Sequence, residues 1–345
     1  MKRIKWIDIS KGITILLVVA GHTIGTALIR GPIFSFHMPL FFVLSAYTMR
    51  YSSSVDEFKK RNAPFILKTL GLAYGLFLLH RLIQFVVEFS SGITYLDYLK
   101  TTAWGVFWSS GTAVVAFGNE YIKIGMMWFL VVFVLARCIF DYIHLICKNI
   151  NHICVWGGWG IVLLITLVGL SIIRVTYLPL SFDVVLTAIP FYYFGFVLRE
   201  RGFLSAESGG SFKNELLRFT ATGIAWIALF ALIYYFTGTY FQYAPRIYPI
   251  GLMSFICAGT GCITVFYFSK MMEKVNFISN IFIWLGRHSL IILCVHYFDD
   301  FWEFLWRIGN GLTATILRTL IDLLIVVLLL GVTKKVKKLT GKILR

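Results

Sequence analysis

Ten stretches of mostly apolar residues, at 13–29, 34–49, 65–88, 126–146, 154–174, 182–198, 217–237, 248–269, 281–298 and 314–333, constrain this chain more than any other feature. A run of about 20 apolar residues crosses the hydrocarbon core of a bilayer as a helix, with its backbone hydrogen bonds closed internally. The expected fold is therefore an all-α integral membrane protein with about ten transmembrane helices. Charged residues make up only 14% of the chain, against about 25% in soluble domains. The loops are short and carry no repeat, so residues 1–345 read as a single membrane domain with no soluble domain appended. The 34–49 stretch is short and contains Pro39, which predicts an irregular or tightly packed segment. Residues 101–118 are apolar but broken by Gly, Ser and Thr, and read as an outer loop or re-entrant segment. The first stretch lacks a small-residue cleavage site and is expected to stay as an anchor.

The formal charge of +16 is explained by its placement. With the N-terminus in the cytoplasm, the inside segments hold 21 Lys and Arg and the outside segments 6. That bias is a positive-inside signal and predicts both termini cytoplasmic in a multi-pass plasma-membrane protein. It leaves no reason to invoke nucleic acid as a partner.

Charged and imidazole groups inside such segments are functional candidates by default. Lys11 and His22 are eleven residues apart, almost three whole turns, so on one helix they share a face. Asp8 lies one turn before Lys11 near the same line. His22 is expected about 16 Å deeper than Lys11, buried near the bilayer midplane. Each group also has a purely structural reading. His22 can bond a neighbouring helix, Lys11 can snorkel to the interface, and Asp8 can hold Lys11 in place.

Arg137/Asp141 and Arg318/Asp322 are i,i+4 pairs inside spans and read as structural ion pairs. His80 and Arg81 are either structural or close to an acceptor. The six cysteines, Cys138, Cys147, Cys154, Cys257, Cys262 and Cys294, show no C-x-x-C and read as apolar packing. No metal or prosthetic group is expected, and no phosphate loop or dinucleotide fingerprint is present.

Five short motifs then appear in order: Lys11-x10-His22, His37-Met-Pro-Leu-Phe-Phe-Val-Leu-Ser45-Ala46-Tyr47, Trp128-Phe-Leu, Pro190 to Arg199, and Leu285-Gly-Arg-His288-Ser289-Leu…His296. In these the chain resembles, almost end to end, the acyltransferase-3 family of bacterial membrane O-acyltransferases, particularly the fucose and capsular polysaccharide O-acetylase-like branch. The resemblance implies transfer of an acyl group, usually acetyl, from cytoplasmic acetyl-CoA to a sugar hydroxyl of a cell-surface polysaccharide or its lipid-linked precursor, in a bacterial cell membrane. It places catalysis at His22 with Lys11 and Asp8, and accessory roles at His37, Ser45, Trp128, His288, Ser289 and His296. Three positions depart from the family pattern. Lys11 stands where many members have arginine, Ala46 where a glycine is usual, and the basic stretch after the second helix lacks a clean R-x-x-R. A glycine at position 46 would allow a positive φ that is costly for Ala46.

Moving an acyl group from a thioester to an alcohol needs a base for the hydroxyl proton and a donor for the oxyanion. A neutral imidazole serves as that base, which makes His22 the candidate. A phosphate-rich donor needs cytoplasmic cations, and Lys59, Lys60, Arg61, Arg199 and Arg201 supply them. The competing class is a transporter or flippase of a glycan precursor or small amphiphile, since buried His, Arg and Asp also line translocation paths.

Overall fold

The structure is a computed structural model and describes residues 4–87, 94–149, 155–204, 212–307 and 311–343. Cys154 and the C-terminal Arg345 of the sequence reading lie outside the described residues. The described chain is helical apart from one small β-ribbon. In order it runs α1 (Lys5–Thr23), α2 (Ala27–Thr48), α3 (Val55–Val87), α4 (Tyr95–Trp108), β1 (Val114–Ala116), β2 (Asn119–Tyr121), α5 (Trp128–Asn149), α6 (Val155–Ile173) and α7 (Phe182–Glu200). It continues with α8 (Phe212–Thr237), α9 (Leu252–Met272), α10 (Asn276–Arg287), α11 (Ser289–His296), α12 (Glu303–Trp306) and α13 (Gly311–Ile343).

Seven of these helices are long and apolar enough to cross a membrane, and the bent pair α10–α11 makes eight. The other two expected stretches also form helices, α1, which includes Lys5, Asp8 and Lys11, and the 19-residue α6 (Val155–Ile173). The stretch 281–298, expected as one span, is broken at His288 with a bend of 63°. Residues 101–118 form the end of α4 and the first strand of the ribbon, in which β1 pairs antiparallel with β2. Of the two readings of the second stretch, the tightly packed one holds and the irregular one does not. α2 is a continuous 22-residue helix that runs through Pro39. Ala46 lies inside it without a positive φ, so no glycine is required there. Ala46 is fully buried against Gly195, where a side chain would strike the Val43 carbonyl. The small residue the site demands is thus on α7.

The chain groups into two compact units. One comprises Met1–Ile33 and Val265–Arg345, the other Phe34–Thr264, and the boundaries fall within α2 and α9. In the first unit α1 lies almost backbone to backbone on α10. A side chain at Gly286 would collide with the Asp8 carbonyl, and one at Gly12 with the Phe282 carbonyl. This close approach buries Trp6, Ile7 and Ile9, Trp6 packing on Phe266. The Glu273 carboxylate accepts from the Trp6 N–H at 2.6 Å, and the Ser10 hydroxyl donates to Ser269 at 2.8 Å. These contacts explain why helix α1 begins at Lys5, well before its apolar stretch.

In the second unit α5 and α7 carry the core, with Phe42 and Tyr192 fully buried beside Phe133. The start of α3 is capped reciprocally: the Ser54 hydroxyl accepts from the Glu57 N–H at 3.2 Å, and Glu57 accepts from the Ser53 N–H at 2.9 Å. The Arg137/Asp141 pair is not what forms. Asp141 accepts from the Ser52 N–H, the Ser52 hydroxyl and Asn62 at 2.7–2.9 Å, while Arg137 lies over the Phe65 ring at 4.1 Å. Arg81 bonds Thr101, Thr102 and Gln84, a structural role.

Candidate active site

The first unit brings together more ionisable groups than any apolar environment tolerates without pairing. His22 sits in the last turn of α1, whose helix ends because Ile24 turns extended, at φ −74 and ψ 115. It is therefore exposed, which corrects the expectation of an imidazole buried in mid-helix. Its Nδ1 lies 2.7 Å from the Val18 carbonyl oxygen. A carbonyl only accepts, so Nδ1 carries the hydrogen and Nε2 holds the lone pair of the neutral ring.

The His296 ring packs edge-on to His22 with centroids 5.3 Å apart. His296 ends α11 and is fully buried. Its Nδ1 is held by Asp299 Oδ2 at 2.6 Å and by Asp322 Oδ2 at 3.0 Å. Asp299 in turn accepts from Arg318 Nε at 2.5 Å and Nη2 at 2.7 Å, and Arg318 Nη1 donates to the Thr23 hydroxyl at 3.1 Å. Arg318 thus turns to Asp299, correcting the expected Arg318/Asp322 pair. Two buried atoms in the cluster, His296 Nε2 and Asp322 Oδ1, have no hydrogen-bond partner among the described residues.

His296, Asp299 and Asp322 place ligand-capable atoms within 4.8 Å of one another. Both oxygens of Asp299 already accept from Arg318, so a metal ion bound there would face a guanidinium, and the cluster reads as an ion-pair network. Burial on its own would raise the Asp299 pKa, but hydrogen bonds from His296 and Arg318 outweigh it and hold the carboxyl below its usual value.

On the same unit Asp8 is buried and its carboxylate lies 3.7 Å from Arg287. Lys11 is half-buried one turn further along α1. His288 stands at the α10–α11 bend and donates Nδ1 to the Trp284 carbonyl at 2.8 Å, with Ser289 opening α11. The remaining candidates belong to the second unit. His37 is buried in α2 beside Phe34, and Ser45 reaches the Tyr192 hydroxyl. Trp128 starts α5 buried, its ring covering Gly111.

The cationic candidates surround the α2–α3 turn. A cavity of about 370 Å³ is lined by Arg50, Tyr51, Ser52, His144, Phe196, Arg199 and Glu200. Arg199 donates to the Met49 carbonyl and Arg61 to the Arg50 carbonyl, so both brace the turn. Lys59, Lys60 and Arg201 are exposed.

Sequence reasoning missed Asp299, Asp322 and Thr23 as members of the site. The usable signal was His296 and Asp299 three residues apart at a helix end. The Asp322 contact joins two helices and leaves no mark in local spacing.

No curated protein and no solved structure matches the chain. The model of the acyltransferase-3 family, an acyltransferase domain, matches residues 4–333. That span contains every member of the two clusters, and the protein belongs to the acyltransferase-3 family, a multi-pass membrane acyltransferase by its helices and its domain.

Proposed function

We propose that this protein is an O-acyltransferase that moves an acyl group, acetyl foremost, from acyl-CoA to a sugar hydroxyl of a cell-surface glycan or its lipid-linked precursor. One observation carries the reading within the family: an accessible histidine, His22, has its Nδ1 fixed by a backbone carbonyl and its ring set against a second, doubly anchored histidine. In the reaction the acceptor hydroxyl gives its proton to His22 Nε2 as its oxygen attacks the thioester carbonyl. The tetrahedral intermediate collapses, the C–S bond breaks, and the imidazolium returns the proton to the leaving thiolate. The products are the ester and free CoA, with His22 neutral again.

His296 is a positioning residue in this scheme. It is fully buried, so it acts on substrate through His22. Its Asp299 and Asp322 partners fix its ring as the carboxylate of a catalytic triad fixes its histidine. Arg318 ties the cluster to Thr23, the residue after His22. The donor's phosphates suit the cationic α2–α3 turn, where Arg50 and Arg199 line a cavity and Lys59 and Lys60 stand exposed. Lys11 and Asp8 then orient charge on the His22 helix. The transporter reading draws no comparable support from the family match.

The test is transfer of radiolabel from acetyl-CoA to glycan in proteoliposomes containing the full chain or its His22→Ala variant. Labelled glycan with the wild type and none with the variant is expected. Equal labelling by both would remove His22 from the chemistry.

A further inference from the structure

The second unit holds a cavity of about 570 Å³ that the reaction scheme does not use. Its wall is aromatic and cationic: Phe107 and Trp108 from the end of α4, Phe117 from the ribbon turn, Arg174 and Tyr177 after α6, and Arg246 before α9. The volume is that of a small-molecule site. We propose that it is the acceptor subsite, and that it takes a sugar ring bearing an anion, a carboxylate or a phosphate.

Three segments distant in sequence build the wall, and one side chain staples them. Arg246 is buried and donates Nε to Asp183 at 2.5 Å, Nη1 to the Ser110 hydroxyl at 2.9 Å and Nη2 to the Ser181 hydroxyl at 3.2 Å. Its guanidinium also lies over the Tyr177 ring at 4.5 Å. Around this staple the backbone is held in the left-handed region at Ser109, Phe117, Leu180, Ser181 and Arg246, with φ between 48 and 61. Side chains rarely adopt that conformation unless the surroundings impose it. The site is thus pre-shaped rather than an incidental gap between loops.

The lining decides the ligand class. Phe117 is 81% exposed and Phe107 43%, so the cavity offers aromatic faces to whatever enters. The negative face of an aromatic ring attracts the polarised C–H face of a sugar. Arg174 is exposed at the rim and has no carboxylate partner among the described residues. A guanidinium presents a planar fork matched to carboxylate or phosphate. An acyl chain would use the rings and gain nothing from Arg174, and a neutral sugar would leave it idle. The three wall segments all fall in loops that the charge bias assigns to the outer face, where a surface glycan is met.

This inference rests on the acyltransferase reading, but its first test, binding, needs no turnover. The full-length protein in lipid nanodiscs is titrated by calorimetry with tetragalacturonate, its methyl ester, and a sugar-linked polyprenyl diphosphate. Binding of tetragalacturonate, weakened tenfold or more by esterification, identifies a uronic acid as the anion. Binding of the diphosphate-linked sugar alone identifies the precursor's phosphate. In either case Arg174→Gln and Phe117→Ala, both at exposed positions, should each weaken binding at least tenfold and raise the acceptor KM without changing the acyl-CoA KM. Binding of none of the probes, binding indifferent to both substitutions, or displacement of the sugar by free CoA would overturn the proposal. A protein that still transfers label yet fails these tests retains the proposed function and loses only this subsite.

Discussion

Two buried arginine–aspartate pairs, one in each unit, have the same shortest distance and differ in the groups gathered around the aspartate. Arg246 and Asp183 meet at 2.5 Å, and every nitrogen of the guanidinium has an acceptor, Ser110, Ser181 and the Ala244 carbonyl included. Asp183 also accepts from the Leu178 N–H at 3.3 Å. Arg318 and Asp299 meet at 2.5 Å too, but their cluster includes a second carboxylate, an imidazole, and two buried atoms with no partner among the described residues. A buried polar atom left unsatisfied costs free energy that a purely structural cluster would have relieved by substitution. The complete network fits scaffolding alone, and the incomplete one belongs to the site proposed above for the chemistry.

The largest expected effect tests the incomplete side. His22→Ala should lower acyl transfer by roughly 10²–10⁴, the usual worth of a general base, while the protein inserts and melts as the wild type does. Retention of more than about a tenth of the rate at equal expression would return His22 to a packing role and leave the His296 cluster as an unexplained strain.

Next comes a pair of substitutions that the comparison predicts will move different observables. Arg246→Ala should cost about 3–5 kcal/mol of stability, the typical result of stranding one partner of a buried ion pair. Asp322→Asn leaves an oxygen able to accept from His296 and should change the melting temperature little, yet slow transfer. Thermal melts and initial rates on both variants decide it. A rate defect without a melting shift in Arg246→Ala, or the reverse in Asp322→Asn, would break the distinction between the two networks.

Much of the fold was legible because hydropathy is a long-window property. Each of the ten apolar stretches contains helix, and the motif order pointed to the family now matched over residues 4–333. What escaped depends on contacts between segments. Helix α1 reaches back to Lys5 because Gly12 and Gly286 let it lie against α10, and it stops at Thr23, which puts His22 in the last turn rather than in mid-helix. The bend at His288 has no proline to announce it. Arg318 and Asp322 are spaced for an i,i+4 pair, yet each has a better partner elsewhere, Asp299 and His296. Spacing proposes such pairs, and tertiary packing selects among them.

A smaller effect is expected at Lys11, on the same helix as His22. If it orients charge on the acyl donor, Lys11→Arg should keep activity, whereas Lys11→Gln should raise the acyl-CoA KM and leave the acceptor KM alone. If it only snorkels, both variants should match the wild type. Initial rates against acetyl-CoA concentration separate the two, and identical curves for Arg and Gln would demote Lys11 to an anchor.

The smallest predicted effect is on pH dependence and probes the Arg318–Asp299 pair directly. Asp299 has its carboxyl pKa held below the usual value, because hydrogen bonds from His296 and Arg318 outweigh the effect of burial. A carboxylate whose pKa is depressed on folding contributes stability that is present above its unfolded pKa, about 3.9, and is lost as pH falls through the folded value. The melting temperature of the wild type should therefore decline on acidification below about pH 4. Asp299→Asn cannot take up that proton, so its melting temperature, lower at pH 7 because Arg318 has lost its counter-charge, should fall less steeply over the same interval. The Asp183→Asn variant keeps Asp299 and should retain the steeper slope from its own lower baseline. Parallel acid limbs in the wild type and Asp299→Asn would mean that Asp299 titrates alike in folded and unfolded chains, and that its pairing with Arg318 and His296 adds nothing to stability.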